Sequence, residues 1–123
     1  QYMETLSSLH LDIGIIPCAV NSFNFCKSNL KFLEYSIAGA ATIASPVYPY
    51  LNTIKDGLDG YIVNDNSYDS WFHALSVLIE KEKLRADIAI YANAFAKNYL
   101  IKNKISEIDA VYKKIMRKKG VRV

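Results

Sequence analysis

The stretch from Leu11 to Ser45, LDIGIIPCAVNSFNFCKSNLKFLEYSIAGAATIAS, holds two short apolar runs with an amphipathic segment between them. Leu11–Pro17 (LDIGIIP) and Ala41–Ser45 (ATIAS) are continuous rather than alternating, the pattern of strands covered on both faces. Between them, Asn29–Ala38 reads as a helix whose predicted buried stripe is Leu30, Leu33 and Ile37. Ser28 is its predicted N-cap and Gly39 lies just past its end. Strand, helix and strand in that order make a βαβ unit with a right-handed crossover, which predicts an α/β fold with a Rossmann-like parallel sheet.

Working outward, Tyr2–Leu9 reads as the end of a helix and the polar Asn21–Lys27 as a loop. After Ser45 come a loop, Pro46–Tyr50, and a short helix near Leu51–Lys55. Gly57 and Gly60 then frame a turn into a third short strand, Tyr61–Val63. From Ser67 the pattern is helical to the end. One face carries Trp71, Leu75, Leu78 and Ile79; a second carries Ile88, Tyr91, Ala92 and Phe95. A last helix places Ile105, Ile108, Tyr112 and Ile115 along one side. The expectation is one domain over residues 1–123, with about 100–123 forming a terminal helix and basic tail. A helix that feeds a fully buried parallel strand normally follows an earlier strand, so upstream sequence is expected.

With 123 residues, 51% hydrophobic and 22% charged, the chain can bury one real core. Its longest apolar stretches, Ile13–Val20 and Ile37–Ala44, fall far below the roughly 20 residues that cross a bilayer. Gln1–Leu9 has no basic residue before an apolar run, unlike a secretory signal, and the expected location is the cytoplasm. Cys18 and Cys26 are eight apart with no histidine nearby, and His10 and His73 stand alone, so no metal site is expected. The net charge of +3 divides unevenly: the last eleven residues hold six bases and no acid, leaving nine bases against twelve acids elsewhere. A body near −3 lacks the basic face that tracks nucleic-acid phosphates, so no nucleic-acid partner is expected.

In open parallel sheets, ligands bind beyond the carboxyl ends of the strands. The loop Cys18–Lys27 falls there and leads to the start of the Asn29–Ala38 helix, where unpaired N–H groups and the helix dipole favour an anion. Lys27 and Lys31 flank that start. On helical spacing Lys27, Lys31 and Glu34 share a stripe, and Glu34 lies about 9 Å along the axis from Ser28. Phosphates at the helix start would leave Glu34 near an attached ribose, whose two hydroxyls a carboxylate accepts. The same spacing equally describes a surface pair between Lys31 and Glu34, with Lys27 as a solvated loop residue. Spacing does not decide between them.

Read together, LDIGIIPC, FNFCKSNLKFLEYSIAGAATIAS, IKDGLDGYIV, Trp71 and LIEKEKLRADIAIYANAFAKNYL resemble the later half of the donor domain of retaining GT-B glycosyltransferases, the two-Rossmann-domain enzymes that use nucleotide-diphosphate sugars. The likeness runs from about Leu11 to Tyr99. In that family the helix carries two glutamates separated by seven residues, then a glycine and a small apolar strand ending in Ser. Glu34 matches the second glutamate, Gly39 the glycine and Ser45 the strand end, while Cys26 stands at the first glutamate. The resemblance implies that Glu34 holds the donor ribose and that backbone amides of Asn29, Leu30 and Lys31 meet the diphosphate. Lys27, Ser28 and Lys31 match the Lys-Ser-x-x-Lys element of a subset of relatives.

The resemblance further implies an enzyme of cell-envelope polysaccharide synthesis when the protein is whole. Its partners would be a nucleotide-sugar donor, an acceptor glycan or lipid-linked sugar, and an N-terminal acceptor domain. The donor is a substrate and no cofactor is implied. No catalytic base or nucleophile is identifiable, and this chain alone is not expected to turn over. The basic tail, Lys113, Lys114, Arg117, Lys118, Lys119 and Arg122, would suit contact with the inner face of the membrane, or is a solvated helix end placed favourably against its own dipole. Two other classes stay open: a sugar-nucleotide epimerase of the same architecture, which would want glycines that Asn24–Ser28 lacks, and a non-catalytic α/β scaffold domain.

Overall fold

The computed structural model describes residues 1–118. Its elements are α1 (Tyr2–Ser8), β1 (Ile13–Ile16), α2 (Ser22–Phe25), α3 (Leu30–Ala38), β2 (Ala41–Ala44), α4 (Tyr48–Leu51), β3 (Tyr61–Ile62), α5 (Tyr68–Glu80), α6 (Glu82–Lys97) and α7 (Ile101–Lys118). The three strands form one parallel sheet in the order β1-β2-β3. Gly14 pairs with Thr42 and Ile16 with Ala44, while Ile43 pairs with Tyr61. The chain is therefore a mixed α/β fold with a small Rossmann-like parallel sheet flanked by helices and ending in long helices.

Alternation along the strands builds two cores, one on each face of the sheet. Ile16 and Ala44 pack with Phe32, Val47, Tyr50, Ile54 and Ala92. Ala41 and Ile43 point the other way, into Val63, Ala74, Leu78 and Ile88. Strand β2 is buried at every position, which explains why all of its residues but Thr42 are apolar. Helix α3 approaches the sheet closely because Gly14 has no Cβ: one built there would lie 2.5 Å from Cγ of Tyr35. The helix ends at Gly39, whose φ of 89° is open to glycine at little cost.

The strands lie within their predicted runs, each shorter by one to three residues, but β1 is not covered on both faces as expected: it is an edge strand and Ile15 is exposed. Several local expectations are corrected. The predicted loop Asn21–Lys27 contains α2, capped by the Asn21 side chain accepting from the Asn24 N–H at 2.9 Å. The N-cap of α3 is Asn29, not Ser28. Its fully buried residues are Phe32 and Ser36, while Leu33 and Ile37 are half-buried and Leu30 is exposed. The stripe is displaced because α3 packs on α6 and α1 as well as the sheet. Ser36 tolerates burial because its hydroxyl donates to the Phe32 carbonyl at 2.6 Å. The short helix after β2 begins earlier, at Tyr48, with proline in its first turn.

Helices α5 and α6 bury Ala74, Leu78, Ile88, Ala92 and Ala96, whereas Ile79 and Tyr91 of the predicted faces are exposed. Arg85 closes the end of α5 by donating to the carbonyls of Leu78 and Ile79 at 2.7 and 3.1 Å. Helix α7 buries nothing: Ile105, Ile108, Tyr112 and Ile115 are all exposed. Lys119 and Arg122 of the basic tail lie outside the described residues.

Candidate functional site

Because the chain leaves β1 at Ile16 and returns antiparallel through α3, the start of α3 stands at the carboxyl end of the sheet. Hydrogen bonds tie that end together. The Ser45 hydroxyl accepts from the Cys18 N–H at 2.8 Å and donates to Oδ1 of Asn66 at 2.7 Å. The Asn66 amide donates to the Cys18 carbonyl at 2.8 Å. These bonds fix the segments leaving β1, β2 and β3, and so fix the floor of any ligand cleft there. Nothing in the sequence marks Asn66, since only its three-dimensional neighbours distinguish it from other loop asparagines.

No side chain caps α3. The Leu33 N–H donates to the Asn29 carbonyl at 3.3 Å, which leaves the N–H groups of Leu30, Lys31 and Phe32 ahead of the first intrahelical bond. The Asn29 side chain is diverted: its amide donates to the Thr53 hydroxyl at 3.0 Å, and that hydroxyl donates to the Pro49 carbonyl at 2.7 Å. Asn29 thus anchors the helix start to α4 instead of occupying its donors. Ser28 and Cys26 are exposed beside it, and neither cysteine forms a disulfide. Lys27 lies in the α2–α3 connection, off the helix, with its ammonium 4.9 Å from the centre of the Phe23 ring. The single stripe expected for Lys27, Lys31 and Glu34 therefore breaks at Lys27.

Lys31 and Glu34 do meet. The Lys31 ammonium donates to Oε2 of Glu34 at 2.9 Å and to the Tyr2 hydroxyl at 2.8 Å, and that hydroxyl donates to the same carboxylate oxygen at 3.1 Å. The hydrogen bond to Tyr2, then that to Glu34, hold the Lys31 ammonium well above the usual lysine range. The Glu34 side chain is only 15% exposed, and that of Lys31 54%. Glu34 also borders an apolar cavity of ≈ 210 Å³ between α1, α3 and α6, with Met3, Leu33 and Tyr99. Tyr50, buried in the core beneath this end, has its hydroxyl pushed above the usual tyrosine value by burial, and stays neutral. Phe23 on α2 and Tyr48 on α4 are exposed.

Elsewhere, a cavity of ≈ 400 Å³ at the amino end of the strands is lined by His10, Asp12, Gly39, Glu82 and Arg85 among others. The Arg85 guanidinium there is already committed to the end of α5 and lies 3.7 Å from Asp12. Among the described residues no cluster of His, Cys, Asp or Glu is arranged to hold a metal ion, and no helix is long and apolar enough to cross a membrane. No family model matches the chain, and no curated protein matches it.

Proposed function

We propose that this chain is the donor-binding portion of a glycosyltransferase, which holds a nucleotide-diphosphate sugar at the start of α3. The observation that carries the reading is the uncapped first turn of a nine-residue helix at the carboxyl end of a parallel sheet. The N–H groups of Leu30 and Lys31, with Asn29 before them, would face the diphosphate. The Ser28 hydroxyl stands beside them, and the Lys27 and Lys31 ammonium groups add positive charge. Cys26, exposed ahead of the helix start, would stand at the rim. As the glycosidic bond to the diphosphate breaks, these donors and cations stabilise the departing nucleotide. Glu34, two turns on, would take the ribose hydroxyls. An acceptor glycan or lipid-linked sugar, an N-terminal acceptor domain and a cytoplasmic location belong to the same proposal.

Ribose binding requires Glu34 to exchange Tyr2 and Lys31 for the two sugar hydroxyls. Two hydrogen bonds to the carboxylate, from Tyr2 and Lys31, are given up for two from the ribose. The exchange is near balance by itself, and seating the phosphates at the helix start has to drive it. A second reading has its own support: the bonds among Tyr2, Lys31 and Glu34 already employ Glu34 in joining α1 to α3. Calorimetry with nucleoside diphosphates on the whole protein separates the two. Glu34→Ala is expected to weaken nucleotide binding about 10- to 100-fold. Unchanged affinity with only a lowered melting temperature would assign Glu34 to the structural role and overturn the donor reading. The 123-residue chain alone is expected to bind nucleotide far more weakly than the whole protein.

A further inference from the structure

Helix α7 is 18 residues long and buries none of them. Ile101, Ile105, Ile108, Tyr112 and Ile115 follow one another at alternating steps of four and three, and Val111 and Met116 widen the band. At about 100° per residue these seven occupy roughly 140° of the circumference. The opposite side is polar. The helix carries six bases, Lys102, Lys104, Lys113, Lys114, Arg117 and Lys118, against two acids, Glu107 and Asp109, a net +4. Both acids are neutralised within the helix, Glu107 by Lys104 at 2.9 Å and Asp109 by Lys113 at 2.7 Å. Among the described residues no carboxylate pairs with Lys102, Lys114, Arg117 or Lys118.

We infer that α7 lies in the interface of an anionic phospholipid surface, with its isoleucine band in the acyl boundary and its bases among the headgroup phosphates. Charge complementarity selects this occupant. Lys102 and Lys113 border the band on one side and Lys118 on the other, where long stems bury along the apolar face while their ammonium groups reach phosphate. A Tyr in the band suits the same boundary, with its ring in the apolar layer and its hydroxyl in the wet one. A second copy of α7 is the poorer fit. The seam spans fewer than the three to four heptads of a stable coiled coil, and two helices of +4 repel. Each base removed from the surface weakens attraction about five-fold. This inference stands apart from what the start of α3 binds, and one can fail without the other.

The test is sedimentation of the whole protein with vesicles of phosphatidylcholine alone and of phosphatidylcholine and phosphatidylglycerol in equal parts. Binding to the mixed vesicles is expected to exceed binding to the neutral ones at least ten-fold and to fall as salt is raised. Ile108→Glu is expected to lose at least ten-fold, and Lys102→Ala with Lys118→Ala about 25-fold. These side chains are exposed, so circular dichroism should report an unchanged fold for every variant. Equal binding to both vesicle types, no binding to either, or full retention by Ile108→Glu would overturn the inference. So would a dimer, seen by sedimentation equilibrium, that Ile108→Glu abolishes, since the band would then belong to a second copy.

Discussion

Replacing Gly14 by alanine tests how α3 is seated on the sheet. The added Cβ would meet Cγ, Cδ2 and Cδ1 of Tyr35 at 2.5, 2.7 and 2.8 Å. Ordinary contact begins near 3.4 Å, so the ring must retreat by about 1 Å. Cγ is the root of that ring and not a flexible tip, so the retreat has to move Tyr35 and the turn of α3 that carries it. Overpacking of this sort costs about 1–3 kcal/mol. Some of that is offset, because alanine within a strand loses less backbone entropy than glycine, by about 0.5–1 kcal/mol. The net expectation is a loss of about 0.5–2 kcal/mol, or a melting temperature lower by about 2–8 °C for a domain of this size. Urea unfolding followed by circular dichroism measures it, with a shifted midpoint and an unchanged slope. In a Tyr35→Ala background the penalty should vanish, since the obstructing ring is gone. A Gly14→Ala protein as stable as the parent, or one equally damaged with Tyr35 removed, would refute this account of the close approach.

Two further perturbations follow from the same physical reasoning. The Thr42 hydroxyl is fully buried on β2 with no hydrogen-bond partner; Thr42→Val keeps the shape and removes an unsatisfied donor, so chemical denaturation should show a gain of about 1 kcal/mol, and a loss would mean the hydroxyl is satisfied. Asp65 accepts from the Ser67 N–H and the Ser70 hydroxyl at 2.9 and 2.7 Å, and the Ser67 and Ser70 hydrogen bonds bring its pKa from 3.8 down to about 2. A folded pKa below the unfolded one means that its contribution is complete above pH 3.8 and is lost as pH falls towards 2. Asp65→Asn should therefore flatten the acid limb of a stability-against-pH curve, and an NMR titration placing the carboxyl midpoint near 3.8 would contradict the assignment.

Much of the fold was legible because β2 is covered on both faces, where a largely apolar run is required, and β1 carries the same kind of run although it lies at the sheet edge with Ile15 exposed. Leu11–Pro17 and Ala41–Ser45 could be placed without knowing their neighbours. What periodicity could not supply was which side of a helix meets which layer. Leu30, Leu33 and Ile37 recur at helical spacing, yet Phe32 and Ser36 are the residues buried, and the serine is tolerated there because its hydroxyl bonds its own helix. Helix α2 gives no sequence signal, since four residues are too few to show a period and its cap residue, Asn21, resembles any loop asparagine. Ser28 was the better cap by position in the sequence, but Asn29 took that place and sent its amide to Thr53, 24 residues away. The Tyr2 hydroxyl on Glu34 is likewise a contact across 32 residues that no local pattern announces.

The parts of the candidate site differ in how firmly they are held, and that difference bears on how it would work. The backbone of α3 is fixed along its length: Asn29 ties its start to Thr53, Phe32 packs against Phe95 with ring centres 5.9 Å apart, and Tyr35 sits on Gly14. At its far end Asn93 donates to the carbonyls of Ser36 and Ile37 at 2.9 and 3.4 Å, satisfying groups that the helix leaves open. The three leading N–H groups therefore point where they do before any ligand arrives. The long side chains around them are committed only to exchangeable partners: Lys27 to an exposed aromatic ring, Lys31 and Glu34 to each other and to Tyr2. An anion settling at the helix start would then need rotamer changes in these side chains and no movement of the helix. Preorganised donors with mobile charges beside them let backbone geometry set where a phosphate lands, and leave selectivity to the side chains that re-pair around it.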